Sequence, residues 1–100
     1  MSWAASAIAG LSRGETVRVR PRGNSMTPRI CSGQEVELAP VTDPSALSRG
    51  DVVLVRVGGR VVLHLVSQAT RERLLITNAR GRANGWVPRS SVAGRLVRVL

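Results

Sequence analysis

Hydrophobic and polar residues alternate along much of this chain with the period of two that a half-buried strand requires. Residues 16–20 read Thr-Val-Arg-Val-Arg and are stopped by Pro21; residues 34–39 alternate again, with Val36 and Leu38 on one face. The clearest signal lies at 52–66, where two apolar runs, Val-Val-Leu-Val-Arg-Val and Arg-Val-Val-Leu-His-Leu-Val, flank Gly58-Gly59. Two glycines supply the positive φ angles of a primed two-residue turn, so this stretch predicts a β-hairpin. Its register pairs Val57 with Arg60, Val55 with Val62 and Val53 with His64. His64 then shares a face with Val53, Val55 and Val62, opposite Leu54 and Leu63. Residues 74–77 and 95–100 complete a set of about six short strands.

The first residues follow a different rhythm. Trp3, Ala7, Ile8 and Leu11 recur near helical spacing in an Ala-rich stretch, with Ser2 placed to cap it and Gly10 near its end. No positive region precedes this short apolar stretch, so it does not read as a secretory signal. Residues 40–48 form a loop, with one helical turn expected after Asp43-Pro44, and Gly23 to Pro28 reads as a turn or helix start. The expectation is a helical segment over 1–12 and a single β domain, a small barrel or sandwich, over 13–100.

Composition removes several function classes. Cys31 is the only cysteine and His64 the only histidine among 100 residues, which excludes an internal disulfide and a multi-cysteine zinc site. The carboxylates that remain are scattered, so no metal and no cofactor is expected. Cys31 itself reads as a small buried apolar residue. Tyr and Phe are absent, which removes the stacking platforms of most single-strand nucleic-acid binders. No apolar run reaches the roughly 18–20 residues of a membrane span. All 15 basic residues are arginine and stand against 6 acids, a formal charge of +9. That surface suits nucleic acid (by non-specific contact), an anionic membrane surface or an acidic protein as a neighbour, although a plain Arg-for-Lys composition bias is the simpler account. The missing lysine matters more, because it removes one kind of catalytic base.

Gly23-Asn24-Ser25-Met26-Thr27-Pro28 carries a Gly-x-Ser-Met pattern, and further blocks follow it in order. Residues 31–36 read Cys-Ser-Gly-Gln-Glu-Val, 49–53 read Arg-Gly-Asp-Val-Val, 61–66 read Val-Val-Leu-His-Leu-Val, and 92–97 read Val-Ala-Gly-Arg-Leu-Val. Together these resemble the superfamily of type I signal peptidases and LexA-like self-cleaving domains over residues 16–100. The resemblance implies that superfamily's mostly-β fold, with Ser25 as nucleophile and a general base where His64 stands. Many members use lysine there; the histidine-using signal peptidases offer the nearer parallel. Histidine, with an ordinary pKa of ~6.5 against ~10.4 for lysine, serves as a base without special tuning.

In the histidine type an acid following the base orients it. Residues 77–86 of this chain contain no carboxylate, so Asn78 or Asn84 is the expected orienting group, while the main chain of Ser25 with Gly23 or Asn24 would form the oxyanion hole. Gln34 stands where the superfamily has an aspartate of structural use. Arg80, Arg82 and Arg89 are expected to surround Trp86 in a loop that either binds phosphate or a peptide carboxylate or, as the plainer account, is a solvated loop packed over the hairpin by Trp86. The functional expectation is a cytoplasmic Ser–His endopeptidase cleaving a partner protein or itself. The alternative is a catalytically silent module that binds peptide or nucleic acid through its groove and arginine surface.

Overall fold

The Gly58-Gly59 turn organises the centre of the molecule. A computed structural model describes residues 3–23, 26 and 29–100. In it, strands β3 (Val52–Val57) and β4 (Arg60–Ala69) pair in the expected register, Val57 with Arg60, Val55 with Val62 and Val53 with His64. Gly58 and Gly59 take φ of 59° and 76°, the left-handed region that two consecutive residues of a primed turn must occupy.

Around this hairpin the chain adds α1 (Trp3–Ser12), β1 (Val17–Val19), β2 (Val36–Pro40), β5 (Arg73–Thr77), β6 (Ala83–Pro88) and β7 (Val92–Val99). Among the described residues these strands form one antiparallel sheet of seven, in the order β1-β2-β7-β3-β4-β5-β6. The mostly-β architecture with a short N-terminal helix is therefore what the chain adopts. The sheet stays open, with β1 and β6 at its edges, rather than closing into a barrel. The helical turn expected after Asp43 is a 3-10 turn at Pro44–Ala46, capped where Asp43 Oδ1 accepts from Ser45 N–H at 3.1 Å. The Ser2 cap expected for α1 lies outside the described residues.

One strand departs from the expectation. Residues 83–88, Ala-Asn-Gly-Trp-Val-Pro, read as part of a loop but form β6, paired along β5 from Arg73–Pro88 to Thr77–Ala83. Glycine and proline weaken the local β signal, and pairing with β5 overrides it. Pro88 is tolerated because it ends an edge strand, where no ladder donor is needed on the outer side.

The sheet buries apolar residues on both faces. Ala7, Leu11, Met26, Ile30, Val36, Leu38, Val52, Leu54 and Leu63 form one cluster beneath α1 and the 26–30 turn. Leu47, Val53, Val55, Val66, Leu74, Ile76, Val87 and Val92 form the other. Strand β3 supplies both, which explains why its sequence is almost continuously apolar instead of alternating. Each fully buried aliphatic side chain contributes roughly 1.5–3 kcal/mol before chain entropy is counted. Helix α1 reaches β7 at Gly94, where a Cβ would stand 2.7 Å from Leu11 Cδ1 and 3.1 Å from the Ala39 carbonyl oxygen.

Candidate functional site

Strand β4 is longer than its neighbour. Pairing with β5 begins at Leu65–Thr77, so no described strand covers Arg60 to His64 on that side. The two-residue turn makes Val57–Arg60 a hydrogen-bonded pair, and alternation then turns the main chain of 60, 62, 64 and 66 toward β3. Val66 confirms this parity: its N–H donates to the Asp51 carbonyl at 2.8 Å, and its own carbonyl accepts from Gly50 N–H at 2.8 Å. Val61 and Leu63 therefore direct their N–H and C=O groups outward, along a free strand edge.

A groove of about 740 Å³ follows that edge. Its floor is the 60–64 stretch of β4; Pro21, Arg22, Gly23, Met26, Ile30 and Cys31 line one side, and Asn78, Arg82, Ala83 and Asn84 the other, with Trp3 also on the lining. His64, Gly23 and Met26 thus line the same groove, although Met26 belongs to the cluster on the sheet face opposite that of His64. Ser25 and Asn24 lie outside the described residues. Their neighbour Met26 is buried, and its carbonyl accepts from Ile30 N–H at 2.9 Å.

His64 is 6% exposed, one of the few polar side chains in the interior. Its Nδ1 lies 2.6 Å from the Leu63 carbonyl oxygen. A carbonyl can only accept, so Nδ1 donates, and in the neutral ring Nε2 keeps its lone pair. The imidazole is held by this backbone group and not by Asn78. Asn78 Oδ1 accepts from Arg80 N–H at 2.9 Å and from Arg82 N–H at 3.0 Å, so both of its lone pairs serve its own turn. Asn84 is exposed on the same side of the groove and has no described hydrogen-bond partner.

Other expected site residues fall elsewhere. Gly23 lines the groove, but its N–H donates to Ser32 Oγ at 3.1 Å, which uses the donor an oxyanion would need. Gln34 does act structurally: its Oε1 accepts from Cys31 N–H at 3.1 Å and closes the turn before β2. Cys31 is exposed on the groove rim rather than buried, because this tight turn holds it clear of the core. Trp86 is 44% exposed on β6, opposite Leu75, and is not part of the groove. Arg89 does not accompany it. The Arg89 guanidinium donates to the carbonyls of Pro44, Leu47, Thr70 and Arg71 at 2.6–3.2 Å, fastening two loops to the end of β6. Of the expected ligand loop only Arg82 reaches the groove; Arg80 sits exposed in the turn beside it.

Arg22, Arg60 and Trp3 line the groove without having been expected there. For Arg60 the signal was present in the sequence, since period two puts 60, 62 and 64 on one face. No group of His, Cys, Asp and Glu among the described residues could hold a metal ion, and no described helix is long and apolar enough to cross a membrane. No family model, curated protein or solved structure matches the chain.

Proposed function

We propose that the groove receives an extended segment of protein along the free edge of β4, and that Ser25 and His64 hydrolyse it. The chain is then a serine endopeptidase of the signal peptidase and LexA type, acting on a partner protein or on itself. The observation that carries this reading is that His64 lines the same groove as Gly23 and Met26, with its Nδ1 bonded to the Leu63 carbonyl. In the neutral ring Nε2 then keeps the lone pair of a base.

In the chemistry that follows, Nε2 takes the Ser25 hydroxyl proton as Oγ attacks the scissile carbonyl carbon. The main-chain N–H of Ser25 supports the oxyanion. His64 returns the proton to the departing amine, and water, deprotonated by the same nitrogen, releases the acyl group from Oγ. The main-chain groups of Val61 and Leu63 hold the substrate backbone extended, as an added strand. A fluorophosphonate probe tests the proposal: the wild-type protein is labelled, whereas Ser25→Ala and His64→Ala are not.

One observation favours a second reading, a silent peptide-binding module. Among the described residues the imidazole is held by a neutral carbonyl, and no carboxylate lines the groove to stabilise an imidazolium. A folded wild-type protein that the probe leaves unlabelled decides for that module.

A further inference from the structure

Three arginines, Arg22, Arg60 and Arg82, line the groove, and no acidic side chain lines it. The six acids of the chain explain why. Glu15 pairs with Arg13, Glu35 with Arg20, and Glu37 with both Arg18 and Arg98. Asp43 Oδ1 accepts from Ser45 N–H at 3.1 Å, and Asp51 Oδ2 accepts from Ser48 N–H at 2.9 Å. Only Glu72 remains, in the β4–β5 turn, where pairing places it at the far end of β4 from Arg60. Residues 73–100 contain no acid at all, so Arg82 has no carboxylate near it in sequence. The arginines of the groove are thus without internal counterions, while Arg13, Arg18, Arg20 and Arg98 have theirs.

We infer that the groove selects acidic peptides: segments bound extended on β4 whose alternate side chains are Asp or Glu and whose intervening side chains are small and apolar. This rests on the proposed peptide-binding reading of the same groove and adds the substrate class to it. A strand projects alternate side chains to opposite sides, so the carboxylates can meet arginines of the lining while the intervening apolar side chains pack on residues such as Met26, Ile30 and Leu63. Guanidinium groups match carboxylates in a two-pronged fashion, which favours Asp and Glu over a diffuse negative charge. Nucleic acid is the weaker match, since the lining holds one aromatic residue, Trp3, while the outward N–H and C=O groups of Val61 and Leu63 suit a peptide backbone.

The test measures fluorescence anisotropy of labelled ten-residue peptides on the full-length Ser25→Ala protein, which keeps the peptide intact. One peptide alternates Glu with Ala and Val; its counterparts carry Gln or Lys at the Glu positions, and a ten-residue oligothymidine is the nucleic-acid arm. At low salt the Glu peptide binds about tenfold tighter than the Gln peptide, and the Lys peptide binds weakest. Arg22→Gln, Arg60→Gln and Arg82→Gln each reduce that preference about two- to threefold, whereas Arg71→Gln, an exposed arginine outside the groove, leaves it unchanged. Equal binding of the Glu and Gln peptides overturns the inference, as does an equal effect of Arg71→Gln or tighter binding of the oligothymidine. Probe labelling is scored separately. A labelled protein with no acidic preference retains the peptidase proposal without this selectivity; an unlabelled one that prefers the Glu peptide retains the selectivity without cleavage.

Discussion

His64 Nδ1 sits 2.6 Å from the carbonyl oxygen of its own neighbour, Leu63. The residue that builds the free edge of β4 thereby also sets the tautomer of the proposed base. Of the main-chain groups that Val61 and Leu63 turn outward, this carbonyl is already satisfied, and an incoming strand meets the Leu63 N–H and both groups of Val61. Edge and base are a single unit, so a change that shifts β4 alters both.

Loss of either member of the proposed pair removes probe labelling and peptide hydrolysis. Ser25→Ala and His64→Ala are each inactive, and the double variant loses little more, because groups acting as one unit are not additive. His64→Lys gives little rescue: a lysine needs a site that lowers its pKa, and it cannot reproduce the ring's bond to Leu63. Probe labelling and hydrolysis rates of the four variants check these expectations, and full activity in Ser25→Ala would end the proposal.

The turn that sets the register is sensitive to side chains. Gly58→Val with Gly59→Val places two β-branched residues at φ of 59° and 76°, at a cost of roughly 1–2 kcal/mol each. For a domain of 100 residues this lowers Tm by about 10 °C or more, read by thermal unfolding. An unchanged Tm would mean that this turn does not constrain the hairpin.

Arg89 is a structural clamp. Arg89→Ala strands the carbonyls of Pro44, Leu47, Thr70 and Arg71, and the charge-assisted bonds lost imply a destabilisation of about 2 kcal/mol. Arg89→Lys recovers only part of this, because a single ammonium cannot span acceptors that the planar guanidinium reaches together. Urea midpoints at constant m value report the difference.

Helix α1 docks through the absence of a side chain at position 94. A methyl in Gly94→Ala meets Leu11, whose tip can move, and the Ala39 carbonyl, which is fixed in β2. Overpacking of this kind costs about 1–3 kcal/mol. Adding Leu11→Ala to Gly94→Ala relieves the contact with the side chain but not that with the carbonyl, so the double variant is less destabilised than the sum of the singles. A thermal double-mutant cycle measures that coupling.

The hairpin, its register and the face of His64 are properties of local sequence: two β-branched-rich runs joined by two glycines leave little freedom over 52–66. The capped turn after Asp43 is likewise local, and Gln34 closes a turn within its own segment. Strand β6 was not legible, because Ala-Asn-Gly-Trp-Val-Pro becomes a strand only when β5 offers it a ladder. Nor was the insertion of β7 between β2 and β3, a long-range pairing that no local pattern encodes. Tertiary structure also decided the fate of the arginines. Thr70, Arg71, Pro44 and Leu47 converge on Arg89 from distant parts of the chain, while Arg22, Arg60 and Arg82 meet around a strand edge that exists only because β4 outruns β5. Sequence shows which charges a chain carries; which of them find a carbonyl or carboxylate depends on distances that folding alone sets.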